Sequence, residues 1–228
     1  MDYLPAHEED YPGDREVTAS VIWLHGLGSN GHDFPPIIPQ LGVSRAVGIR
    51  FIFPHAPSMP VSINNGHVMP AWYDIKQVNL EREVDTEQLC ASARRVHDLI
   101  DREIERGVPS ERIIVSGFSQ GGAVTYEAAL TYPKKLGGIM AFSTYLATAE
   151  TLQLNPVQND IPILVCHGET DPVVPEALGR NSVQALNRLG LLADYKTYPM
   201  DHAVCPAEVM DIGRFINRVY TGREALEV

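Results

Sequence analysis

Cysteine is scarce in this chain of 228 residues, which holds only Cys90, Cys166 and Cys205. An odd, sparse set of thiols argues against a disulfide framework and fits a reducing compartment. Positive charge is also short, with 18 Lys and Arg against 29 Asp and Glu and a formal net charge of -11. An acidic body repels nucleic-acid phosphates and anionic membrane surfaces, so neither is expected as a partner. No apolar run approaches the ~20 residues needed to cross a bilayer. Residues 1–16, rich in Asp, Glu and Pro, lack the basic-then-apolar order of a secretion signal. These absences lead to the expectation of a cytoplasmic protein. What is present is ordinary, with 44% hydrophobic and 21% charged residues. That suffices for one core, and a single domain over 1–228 is expected, with 1–16 poorly structured or peripheral.

Short apolar runs recur at 21–24, 50–53, 113–116, 138–142 and 163–166, mostly β-branched or aromatic at successive positions. Such runs read as strands covered on both faces. Residues 194–198 alternate more and are expected nearer an edge. Between the runs, Leu89, Ala93, Val96, Ile100 and Ile104 recur at helical steps within 84–106, and Gly107 and Pro109 end that helix. Pro206 opens a last helix striped by Val209, Ile212, Ile216 and Val219. Alternating strands and helices predict an α/β fold, a mostly parallel sheet with helices on both faces. Ligands then bind beyond the carboxyl ends of the strands, so polar residues just after the runs carry the interest.

One such junction reads Ser116-Gly117-Phe118-Ser119-Gln120-Gly121-Gly122, directly after Ile113-Ile114-Val115. Glycines flanking a serine between strand and helix permit a tight turn that leaves the hydroxyl exposed as a nucleophile. The pattern arises by chance roughly 0.07 times in a chain of this composition. Ser116 lacks the paired glycines and belongs to the strand. A serine hydroxyl needs a base, and the base needs an acid to hold its tautomer. In this arrangement the acid and then the histidine follow the serine in the chain.

Only His167 and His202 come after Ser119. His167 ends a strand and is read as structural, whereas His202 lies on a loop before the last helix and is the candidate base. Asp171 follows the run at 163–166 and is the candidate acid. Asp160 precedes that strand and would sit at the wrong end of the sheet. Asp201 adjoins His202 too closely in sequence to align on Nδ1, and Glu169 is the remaining rival. The turn His25-Gly26-Leu27-Gly28-Ser29 follows the first run. Its glycines allow close approach, so the backbone amides of Leu27 and Gln120 are the candidate oxyanion donors. A zinc site from Cys166, His167, His202 and Cys205 is disfavoured, because neighbouring strand residues face opposite ways. No metal and no cofactor are expected.

His25-Gly26-Leu27-Gly28, Gly117 to Gly122, His167-Gly168-x-x-Asp171-Pro172-x-Val174-Pro175 and His202-x-x-Cys205 follow one another in order. Together they resemble the signatures of the carboxylesterase and acyl-protein thioesterase (phospholipase/carboxylesterase) family of α/β hydrolases over about 21–219. The segment Met69-Pro70-Ala71-Trp72-Tyr73-Asp74-Ile75 resembles its bacterial branch. The resemblance implies the α/β-hydrolase fold, Ser119, Asp171 and His202 as triad, and Leu27 with Gln120 as oxyanion donors. It further implies a strand-rich loop over 57–74 that shapes an acyl pocket, with Trp72 and Met69 as substrate-binding residues, and a possible homodimer. Ser29-Asn30 after the glycine turn and Asp201 before the base depart from the family pattern. The reading favoured here is a serine carboxylesterase for small acyl esters of short to medium chain. The alternatives are an acyl-protein thioesterase or lysophospholipase for long acyl chains, and a non-catalytic ligand-binding protein on the same fold.

Overall fold

A computed structural model describes residues 3–77 and 83–222. The central strands β2 (Val17–Leu24), β3 (Gly48–Pro54), β6 (Ile113–Phe118), β7 (Gly138–Phe142) and β8 (Ile163–Gly168) are nearly continuous buried runs. Apolar side chains on both faces require cover on both faces, and parallel pairing meets that demand. With β1 (Ala6–Tyr11) and β9 (Ala193–Tyr198) at the edges, the seven strands lie in the order β1-β3-β2-β6-β7-β8-β9. Every pairing is parallel except that of β1 with β3.

Alternation along each strand sends side chains into two separate cores. Ile22, Leu24, Val115 and Val165 pack with α1 (Thr86–Glu105), α2 (Gln120–Thr131) and α3 (Glu176–Arg188) on one face. Val21, Trp23, Phe51 and Phe142 pack on the other with α4 (Pro206–Thr221) and the short turn around Ile38. Helix α1 begins where the Asp85 carboxylate accepts from the Gln88 amide at 3.0 Å, an N-cap that satisfies an otherwise orphaned donor. The last helix starts with Pro206 after Cys205 and stops at Gly222, whose φ of 70° ends it in the left-handed region.

Residues 6–11 of the 1–16 segment are peripheral but not poorly structured, since they form the edge strand β1; residues 1 and 2 lie outside the described residues. Its sequence, Ala-His-Glu-Glu-Asp-Tyr, is too charged to announce a strand, but its acids meet cations supplied by distant elements. Arg50 Nε donates to Asp10 at 3.0 Å, and Arg106 donates to Glu8 at 2.8 Å. The buried Glu103 carboxylate joins this network by accepting from Ser20 at 2.7 Å and Arg50 at 3.2 Å. A charged edge also discourages pairing with another sheet. The run at 194–198 is the opposite edge, as its alternation implies. Residues 57–74 contain a separate antiparallel ribbon, β4 (Ser58–Val61) with β5 (His67–Pro70), lying outside the main sheet.

Candidate active site

Ser119 joins β6 to α2 with φ 54° and ψ -119°, a strained conformation for a residue with a side chain. The crowding around it explains the glycines. A Cβ at Gly117 would lie 2.4 Å from the Gly121 carbonyl oxygen, and one at Gly121 would lie 2.5 Å from that of His25. The turn is held by Ser119 N–H donating to Phe142 at 2.9 Å and by Thr144 Oγ1 donating to the Ser119 carbonyl at 2.6 Å. The hydroxyl is thereby presented where the sheet ends and helix α2 begins.

Asp171 and His202 lie 31 positions apart in the chain but meet at 2.7 Å, with His202 Nδ1 donating to Asp171 Oδ2. The other carboxylate oxygen accepts the backbone amides of Val173 at 2.9 Å and Val174 at 2.8 Å, so the carboxylate cannot turn away. Burial alone would raise this carboxyl's pKa. The His202 imidazole and the two amides outweigh that effect and hold it below the usual value. His202 is half-buried, and its ring centroid lies 4.7 Å from that of Phe118, the residue before Ser119. The base candidate therefore sits beside the nucleophile turn.

His167 is fully buried and donates from Nε2 to the Val174 carbonyl at 2.7 Å, bracing the turn that carries Asp171. Burial lowers its pKa and keeps it neutral. The base loop is fastened to the same turn, since Thr170 N–H donates to the Met200 carbonyl at 3.2 Å. Gly168 is required here, because a Cβ would stand 2.2 Å from the Asp201 carbonyl oxygen. Of the rival acids, Asp160 pairs with Lys135 at 2.6 Å, Asp201 is exposed, and Glu169 accepts from Thr197 at 3.2 Å.

The glycine turn of 25–28 reaches the serine closely, with a Cβ on Gly26 placed 3.4 Å from Ser119 Cβ. His25 is buried, and Ala56 N–H donates to its Nε2 at 3.1 Å. That nitrogen must then be bare, so Nδ1 carries the proton and donates to the Gly26 carbonyl at 2.7 Å. Burial depresses the His25 pKa and preserves this neutral tautomer. Gly28 N–H donates to the Pro70 carbonyl at 2.9 Å, tying the turn to the β4–β5 ribbon. Leu27 is half-buried, whereas Gln120 is buried at the start of α2.

Trp72 and Met69 occupy different settings. Met69 is half-buried, its sulfur accepting from Asn64 Nδ2 at 3.2 Å and lying 3.8 Å from a Cβ built on Gly28. Trp72 is buried, with its indole N–H donating to the His25 carbonyl at 2.8 Å. It borders a cavity of about 410 Å³ with Leu4, Pro57, Met59, Ala91 and Arg94, and neither Ser119 nor His202 lines that cavity. The side-chain amide of Gln120 was invisible to pattern reading. Its Oε1 accepts from Trp72 N–H at 2.8 Å and its Nε2 donates to the Tyr73 carbonyl at 2.6 Å. Cys166 lies 3.5 Å from the Tyr198 hydroxyl, and Cys205 is the residue from which α4 starts.

A serine on a strained strand-to-helix turn, an aspartate-bound histidine beside it and a glycine turn against it, all at the strand ends of a mostly parallel sheet, define an α/β hydrolase. Residues 6–220 match the phospholipase/carboxylesterase family, and the chain belongs to that family as a carboxylic ester hydrolase. Acyl-protein thioesterase 1 of Gibberella zeae is 38% identical over 219 residues, covering 91% of this chain and 93% of the relative. The Schizosaccharomyces pombe protein of the same name is 40% identical over 206 residues, covering 89% and 91%. Among solved structures, Zea mays acyl-protein thioesterase 2 superposes with a TM-score of 0.82 at 29% identity, covering 95% of this chain and 99% of that one. Arabidopsis thaliana SOBER1 gives 0.82 at 32% identity, covering 88% and 98%. These relatives are fungal and plant proteins, and they do not support the bacterial branch suggested by residues 69–75.

Proposed function

We propose that this enzyme hydrolyses acyl esters and thioesters through Ser119, His202 and Asp171, with the amides of Leu27 and Gln120 receiving the oxyanion. The observation that carries the reading is the 2.7 Å bond from His202 Nδ1 to Asp171, made by a ring lying 4.7 Å from Phe118. With Nδ1–H committed to Asp171, Nε2 keeps its lone pair and can take the Ser119 proton as the oxygen attacks the acyl carbonyl. The tetrahedral oxyanion collapses, His202 protonates the departing alcohol or thiol, and an acyl-serine remains. Water, deprotonated by the same imidazole, then releases the carboxylic acid. General-base help of this kind supplies about 10²- to 10⁴-fold in rate.

For substrate class, the name acyl-protein thioesterase 1 carried by the fungal relatives supports the thioesterase alternative, with its longer acyl chains as part of this proposal, over the short- to medium-chain carboxylesterase reading. A fluorophosphonate probe should label the wild type and not Ser119→Ala. A chain-length series of p-nitrophenyl esters and acyl thioesters should then give kcat/KM rising toward long thioesters. Highest values on short oxygen esters would return the enzyme to the carboxylesterase reading. Failure of the wild type to label would remove the triad.

A further inference from the structure

Two amides must converge on one oxygen for an oxyanion hole to work, yet Leu27 and Gln120 belong to different segments of the chain. The bonds around Trp72 join these segments. On one side, Gln120 accepts from the Trp72 amide at 2.8 Å and donates to the Tyr73 carbonyl at 2.6 Å, so the first residue of α2 grips the segment that follows β5. On the other, the indole N–H of Trp72 donates to the His25 carbonyl at 2.8 Å. His25 in turn holds the Gly26 carbonyl through Nδ1–H at 2.7 Å. A planar trans peptide points its C=O and N–H in opposite directions, so fixing the Gly26 carbonyl fixes where Leu27 N–H points. The chain of contacts thus runs without a break from one proposed donor to the other.

We propose that Trp72 is a positioning residue for the oxyanion hole, and that it sets the separation of the Leu27 and Gln120 amides instead of serving as a wall for the acyl chain. This inference rests on the hydrolase mechanism proposed above. Its burial supports it, since Trp72 is 1% exposed and offers substrate little surface. So does the placement of its polar atoms. The main-chain N–H bonds the Gln120 side chain, the indole N–H bonds the His25 carbonyl, and the Trp72 carbonyl accepts from buried Ser92 on helix α1. His25 acts with it and requires its neutral tautomer, because a second ring proton would oppose the Ala56 amide at Nε2.

The test separates geometry from binding. Replacing Trp72 with benzothienylalanine keeps the shape of the ring and removes only the N–H donor; Trp72→Phe removes the donor and some volume. Donor misplacement should lower kcat by about 10- to 100-fold, equally for every acyl chain length and with KM within about threefold. A trifluoromethyl ketone, whose adduct with serine is tetrahedral, should lose affinity by the same factor that kcat/KM loses. Gln120→Met, which keeps its backbone amide, should give the same signature. The proposal is overturned if the loss falls on KM and grows with chain length, which marks Trp72 as an acyl wall. It is also overturned if the benzothienyl protein has wild-type kcat. Should Trp72→Phe fail to fold, the benzothienyl and Gln120 variants decide alone. If the wild type itself does not label with fluorophosphonate, it is the hydrolase mechanism that fails.

Discussion

The ring of His202 rests on the ring of Phe118, 4.7 Å between centroids, so the base is supported by the residue that leads into the nucleophile. Phe118 in turn packs on Phe34 at 5.9 Å. Asp171 fixes one edge of the imidazole and leaves rotation about that bond to be limited by Phe118. Phe118→Leu should therefore lower kcat about 10-fold through misorientation, with little change in thermal stability. Wild-type kcat in a folded variant would mean that Asp171 alone holds the ring.

Asp171→Asn should cost about 10⁴ in kcat, because an amide in that place can stabilise the wrong tautomer of His202. The carboxyl also links stability to pH. Its pKa is held below the ordinary value, so its contribution to stability is present above the unfolded value and is lost as pH falls through the folded value. Urea titrations across the acid range should show the Asn variant losing less stability on acidification than the wild type. Parallel acid limbs would show that the native contacts of Asp171 do not favour its ionised form.

Gly168→Ala places a methyl group 2.2 Å from the Asp201 carbonyl oxygen and 2.5 Å from that of Met200. The end of β8 is buried, so the 200–202 segment must yield and carry His202 with it. Activity should fall by about 10²-fold or more. Gly190, whose φ of +81° meets open space, is the matched control. There Ala should cost stability through strain alone, and kcat should stay at the wild-type value. Equal kcat losses for the two variants would detach the effect from the base loop.

Glu208 on α4 is fully buried, and burial pushes its carboxyl up to about 8. The Cys205 amide favours the charged form but does not complete a well-formed hydrogen bond, while Asp211 opposes ionisation. Since the folded value is raised, the stability this group permits is full below the unfolded value and declines as pH rises toward 8. Glu208→Gln should be the more stable protein at pH 8, by a few kcal/mol on the order expected from ~1.4 kcal/mol per unit, and the difference should shrink toward pH 4. Denaturant midpoints at both pH values measure this. A Gln variant less stable at pH 8 would show that the ionised carboxylate is accommodated there.

How far a pattern could be read depended on how local its cause is. Ile113 to Val115 and Ile163 to Val165 announce buried strands because their own side chains demand cover. The nucleophile turn announces itself because Gly117 and Gly121 collide with neighbours only a few residues away or with one adjoining strand end. Strand β1 did not, since Glu8 and Asp10 become tolerable only when Arg50, Arg102 and Arg106 arrive from elsewhere. Helix α3 was equally quiet, its buried positions interrupted by Ser182, whose hydroxyl donates to the Leu178 carbonyl at 2.7 Å.

The sequence by itself determined the alternation of elements, the strained serine and the order in which acid and base follow it, because steric and hydrophobic rules act over a few neighbouring residues. Tertiary structure decided between Asp171 and its rival Glu169 for the bond to the imidazole across 31 positions, and it alone decided which side chains span 47 and 48 positions to join His25, Trp72 and Gln120. Hydrogen bonds reach about 3 Å and carry no periodicity along a chain. Only the folding of the strands into one sheet brings such partners within that reach.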